Sequence, residues 1–268
     1  MDRLGYAAPT TSVPALRFEG GMREVVQETI AEETPVTIAY NGVSYAVMMA
    51  TPQDLEDFAI GFSLTEGLVE SSGAISSVSA VRYSRGVELQ VETSAEVADA
   101  SRGRRLSGRT GCGICGRDDV DAVLRELPSV RRDVRFAPDA ISRAMRELAD
   151  RQPLNALTGA VHAAGFAQAD GTLAEVREDV GRHNALDKLV GALRRAGVDA
   201  SEGFVVMTSR GSFELVQKSA ILGVSLLATV SAPTALAVRM ATSIGMTLAG
   251  FARDGRFTVY TEAGHIAS

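Results

Sequence analysis

Apolar and polar positions change period several times along the chain, and each change predicts an element. Up to about residue 20 no period holds, which predicts an irregular arm. PVTIAYNGVSYAVMM, from Pro35 to Met49, gives two β-rich runs around Asn41-Gly42, a pair that favours a tight hairpin turn. Leu55, Phe58, Ala59 and Phe62 recur at helical spacing, with Thr51 and Asp54 as a capping pattern and Pro52 at the first helical position. Val78 to Tyr83 and Val87 to Glu92 predict a second hairpin around Arg85-Gly86. The first hundred residues thus read as a small α+β unit with an arm.

Between Thr93 and Asp119 the periodicity stops. SRGRRLSGRTGCGICGRD, residues 101–118, holds five glycines and five arginines and reads as a long mobile loop. Helical patterns return at Val120 to Leu127 and Pro138 to Ala149, followed by a hairpin of Ala160 to Ala167 and Thr172 to Glu178 turned by Asp170-Gly171. A helix from about His183 to Ala196 turns Leu186, Leu189, Val190 and Leu193 inward and stops at Gly197. FVVMT, a helix from Ser212, LLATVS, a helix after Pro233, TLAGF, a turn at Asp254-Gly255 and FTVY complete the chain. Alternation of this kind predicts a layered α/β domain over residues 119–268, with a mostly parallel or mixed sheet.

Composition narrows the class. A chain of 268 residues that is 46% hydrophobic supports a sizeable core, and a net charge of −6 argues against coating nucleic acid or an anionic membrane. No secretory signal is evident at the N-terminus, and the longest apolar run, Ile221 to Val230, is about half of a membrane span. The expectation is a cytoplasmic protein, in which a structural disulfide is disfavoured.

That matters because the only two cysteines, Cys112 and Cys115, form a CxxC inside the glycine-arginine loop. A structural zinc site would need two more ligands from His162, His183, His265 or carboxylates, none at a paired spacing. A thioredoxin-like site would open a helix directly after a strand, which this loop does not. A deaminase would need His-x-Glu and Pro-Cys-x-x-Cys, whereas the chain has His162-Ala163-Ala164 and Gly111. Thiolate chemistry fits better: a thiol is about 3% ionised at pH 7, and Arg109 and Arg117 bracket the pair and favour the ion.

Two further stretches carry charge. EDVGRHNALDK, Glu178 to Lys188, reads either as a capped helix start with a salt-bridged surface or as Arg182, His183 and Lys188 projecting into a cleft at a strand end. TSRGSFELVQK repeats the arrangement with Ser209, Arg210 and Lys218, and together they suggest an anionic ligand. In GFARDGRFTVY, Arg253 and Arg256 flank a tight turn suited to gripping phosphate or a purine edge.

TGCGICG, EDVGRHNALDK, SRGSFELVQK, SAPTALAV and GFARDGRFTVY together resemble the formate dehydrogenase accessory sulfurtransferase family, FdhD, from about residue 20 to the end. The resemblance implies a homodimer with a cytidine-deaminase-like α/β domain. It also implies a carrier that takes sulfur from a cysteine desulfurase as a persulfide and passes it to the molybdenum bis-molybdopterin guanine dinucleotide cofactor of formate dehydrogenase. A guanine nucleotide would be a partial mimic of that acceptor, and no tightly bound structural metal is expected. The matched positions make Cys112 the persulfide-bearing residue and Cys115 its companion, and assign Phe251, Ala252, Arg253, Asp254, Gly255 and Arg256 to cofactor binding. A cofactor chaperone without sulfur transfer is the competing reading.

Overall fold

The computed structural model describes residues 8–97, 127–130 and 133–267. The chain opens with a ribbon rather than an irregular arm: β1 (Thr10–Glu19) pairs antiparallel with β2 (Met22–Ala31) around Gly20-Gly21. Phe18, Met22 and Val25 are 71%, 75% and 73% exposed, so neither face of the ribbon carries the alternation by which a half-buried strand is recognised.

The expected hairpins follow. β3 (Thr34–Tyr40) and β4 (Val43–Ala50) turn at Asn41 and Gly42, both left-handed at φ 47° and 80°, as a type I′ turn requires. Then come α1 (Leu55–Thr65), β5 (Ile75–Tyr83) and β6 (Gly86–Thr93), whose hairpin turns at Ser84-Arg85, one residue before the expected place. β3 pairs parallel with β6, which gives the order β4-β3-β6-β5, and Phe58 and Phe62 of α1 cover one face with Ile38 and Leu89.

The second layer begins with α2 (Pro138–Asp150) and α3 (Pro153–Thr158), the latter not anticipated. β7 (His162–Ala167), β8 (Leu173–Asp179), α4 (Arg182–Arg195), β9 (Phe204–Met207), α5 (Phe213–Leu222), β10 (Leu226–Thr229), α6 (Ala235–Ile244), β11 (Thr247–Arg253) and β12 (Arg256–Val259) complete it. The helix expected at Val120 to Leu127 falls almost wholly outside the described residues. Among the described residues these strands make a mixed sheet in the order β12-β11-β10-β9-β7-β8, with β9, β10 and β11 parallel.

Strand β9 shows why this sheet reads as continuous apolar runs. Val205 and Met207 face the core beneath α4, α5 and α6, while Phe204 and Val206 face a second core beneath α2. Both faces are covered, so both sets of alternating side chains are apolar. No helix among the described residues is long and apolar enough to cross a membrane.

The two layers meet where α1 crosses α4. A Cβ added at Gly61 would lie 1.7 Å from the Asp187 carbonyl oxygen, and one at Gly191 would lie 1.9 Å from that of Asp57. Only glycine permits this approach, which presses α1 onto the middle of α4.

Candidate functional site

The pairing directions make β8, β9, β10 and β11 run the same way, with β7 and β12 opposed. Four carboxyl ends therefore emerge at one edge of the sheet, where open α/β sheets bind ligands. The C-terminal tail lies at this edge. Phe251 takes φ 51° and shifts the register between Gly250 and Arg253, after which Asp254 and Gly255, at φ 55° and 75°, turn the chain into β12. A non-glycine residue held left-handed is strained backbone and occurs where geometry demands it.

Beside this turn is a cavity of about 300 Å³. Ala252, Arg253, Asp254, Gly255 and Arg256 line one side, and Ser142 and Arg146 of α2 line the other. Ile141, Met145, Val230 and Phe257 supply apolar wall. Three guanidinium groups beside an apolar wall suit a planar ring that carries an anionic group. Five of the six tail residues thus come together; Phe251 is not among the lining residues and is 42% exposed. Nothing local marked Arg146 or Ser142, which read as the polar face of an ordinary helix. Their place at the site follows from the packing of α2 beside a turn more than a hundred residues later.

In EDVGRHNALDK it is Lys188 that departs from both sequence readings, while Arg182 and His183 stay at the strand-end edge. Lys188 is fully buried (0% exposed) and its ammonium lies 2.7 Å from the Asp179 carboxylate, itself 0% exposed. The same ammonium donates to the Thr51 carbonyl at 3.0 Å. Asp179 also accepts from the Thr51 and Gly181 amides at 3.0 and 2.8 Å and from Asn184 at 2.9 Å. Thr51 therefore does not cap α1, since its hydroxyl accepts from the Val180 amide at 3.1 Å. The residue before α1 is Asp54, left-handed at φ 53° and without a side-chain cap, and Pro52 lies in the bend ahead of the helix.

Lys218 is likewise internal. It pairs with Asp187 at 2.8 Å and Glu66 at 3.3 Å, while Thr65 donates to Asp187 at 2.6 Å. Burial pushes the Asp187 carboxyl up, against the opposing pull of Lys218 and Thr65. Neither lysine reaches the strand-end cleft, contrary to expectation. Their charge ties the N-terminal layer to α4 and α5.

What remains at that edge is His162, Arg182, His183, Ser209 and Arg210. His183 pairs with Glu214 at 2.8 Å, and Arg210 is exposed. Cys112 and Cys115 lie outside the described residues. Among the described residues no group of three or more His, Cys, Asp or Glu side chains is placed to hold a metal ion.

A layered α/β protein with an arginine-lined cavity at its strand ends is the class that fold and site define. Within that class, the sequence model of the FdhD/NarQ family matches residues 31–267, and the chain belongs to this family. It is 53% identical to the sulfur carrier protein FdhD of Xanthomonas campestris pv. campestris (strain B100), over 91% of this chain and 88% of that one. It is 46% identical to the sulfur carrier protein FdhD of Bordetella petrii, over 97% of each chain. Its fold superposes with a TM-score of 0.79 on the crystal structure assigned to a formate dehydrogenase accessory protein from Desulfotalea psychrophila. That match, at 25% identity, covers 97% of this chain and all of the other.

Proposed function

We propose that this protein is a sulfur carrier for formate dehydrogenase, with Cys112 as the persulfide-bearing residue. The observation that carries the reading is the joining of five tail residues and Arg146 around one cavity, in a chain whose relatives are named sulfur carriers. The acceptor is the molybdenum bis-molybdopterin guanine dinucleotide cofactor. At about 300 Å³ the cavity is at the small end for ligand sites. It suits one nucleotide-sized end of that molecule, with Arg253, Arg256 and Arg146 on its phosphates.

The chemistry asks for an ionised, accessible thiol. The Cys112 thiolate attacks the sulfane sulfur of the persulfide on a cysteine desulfurase, the donor's S–S bond breaks, and the donor cysteine leaves as a thiolate. Delivery as sulfide needs two electrons. Cys115 supplies them by attacking the Cys112 sulfur, which releases the terminal sulfur as hydrosulfide and leaves a Cys112–Cys115 disulfide to be reduced by a thiol. Cys112 lies fifteen residues along the chain from both Val97 and Leu127.

Mass spectrometry after incubation with a cysteine desulfurase and cysteine tests the reading. A gain of about 32 Da on Cys112, absent in Cys112→Ala, is expected for one added sulfur. A chain that binds the cofactor yet gains no mass is the chaperone instead. The active form is a homodimer in this reading, and the exposed Phe18, Met22 and Val25 of the ribbon offer apolar surface for a second copy. Sedimentation as a monomer at micromolar concentration refutes that part.

A further inference from the structure

The strand-end edge extends well beyond the cavity. Arg253 closes β11, and two strands away, about 10 Å at ordinary strand spacing, β9 ends and delivers Ser209, Arg210 and Gly211. One strand further, His162 opens β7 opposite Asp179 of β8, and Arg182 starts α4 three residues after that aspartate. The Thr208 amide donates to the Ala163 carbonyl at 3.1 Å, which brings the Ser209-Arg210 turn beside His162.

Cations predominate here. Arg182, His183 and Arg210 all act on the half-buried His162, and burial together with these charges holds its imidazole below the usual histidine range. Asp179 acts on it in the opposite direction. That carboxylate is occupied by Lys188, by the Thr51 and Gly181 amides and by Asn184, and Glu214 is occupied by His183. Meanwhile α4 and α5, of fourteen and ten residues, both begin here, behind Gly181 and Ser212, and neither has a side-chain cap on its first-turn amides. Uncapped amides add partial positive charge along the same edge of the sheet.

We propose that His162, Arg182 and Arg210, with the amino ends of α4 and α5, form a second anion subsite that takes a phosphate-class group. Donors here come from several directions on separate elements. A tetrahedral oxyanion with many lone pairs satisfies that set better than a flat carboxylate does. The subsite is distinct from the cavity at Arg253 and Arg256, which is lined by none of these residues.

The test is titration of the full chain with inorganic phosphate at low ionic strength. Calorimetry gives the affinity, and the ring signals of His162, one of only three histidines, report the place. Phosphate should shift the His162 signals and raise its titration point. Arg210→Ala, at an exposed position whose loss leaves the core untouched, should weaken binding about tenfold or more, the usual effect of losing a hydrogen bond to a charged group. Arg253→Ala, in the separate cavity, should leave the phosphate-induced shift of the His162 signals in place. The phosphate can be a free ion or the end of a larger ligand that also enters the cavity. A nucleoside diphosphate whose affinity falls with either arginine variant identifies the second source, and one that responds to Arg253 alone identifies the first. Unmoved His162 signals at millimolar phosphate, or Arg210→Ala binding like the parent, would overturn the proposal.

Discussion

Lys188→Met tests whether the charges of EDVGRHNALDK are internal. The methionine keeps most of the side chain's length and volume but leaves Asp179, which is 0% exposed, as a buried carboxylate without its ammonium. It also strips the Thr51 carbonyl of a donor at 3.0 Å. Removing one partner of a buried pair costs about 3–5 kcal/mol, because the remaining charge keeps its desolvation penalty and loses its compensation. For a chain of this size that is a fall in Tm of about 6 to 20 °C. Urea unfolding followed by circular dichroism measures it; there is no tryptophan to report by fluorescence. Adding Asp179→Asn should recover part of the loss, since the orphaned charge disappears while one oxygen still accepts a backbone amide. Arg17→Ala, in a pair with Glu28 whose side chains are 51% and 43% exposed, is the surface control and should cost no more than about 1 kcal/mol. A loss below about 1 kcal/mol for Lys188→Met would refute the reasoning, as would a double variant no better than the single one.

Gly191→Ala should destabilise the chain by about 1–3 kcal/mol or more despite alanine's better helix propensity, because its methyl would collide with the Asp57 carbonyl; a neutral or raised Tm contradicts the contact. Replacing Arg253 and Arg256 together, or Arg146 alone, should weaken guanine nucleotide binding by calorimetry about tenfold or more, with persulfide formation intact; unchanged affinity removes the cavity from the function. By nuclear magnetic resonance His162 should titrate below 6.5, chiefly through burial and then through Arg182, and Arg210→Ala should raise it. The sign for stability follows from the lowered folded value. The contribution is intact above about 6.5 and is lost as the pH falls, because the unfolded chain takes up the proton first; stability that rose on acidification through this group would contradict it.

What was legible locally and what was not divide along one physical line. Asn41-Gly42 selects its own turn, and Leu186, Leu189 and Leu193 mark an inward face wherever the helix packs, so these elements appear as expected. The β1–β2 ribbon was missed because strands exposed on both faces are not required to alternate. Lys188 and Lys218 were misplaced because charges near a helix start look the same whether solvent or another layer covers them. The covering residues, Thr51 and Thr65, are more than a hundred positions away. A local hint did exist. Gly61 and Gly191 both lie inside helices, where glycine costs about 1 kcal/mol relative to alanine, a sacrifice that makes sense when another backbone must come close. With Lys188 and Lys218 held in internal pairs with Asp179 and Asp187, the cations left along the strand-end edge are arginines, Arg182 and Arg210 near β7 and β9 and Arg253 and Arg256 at β11.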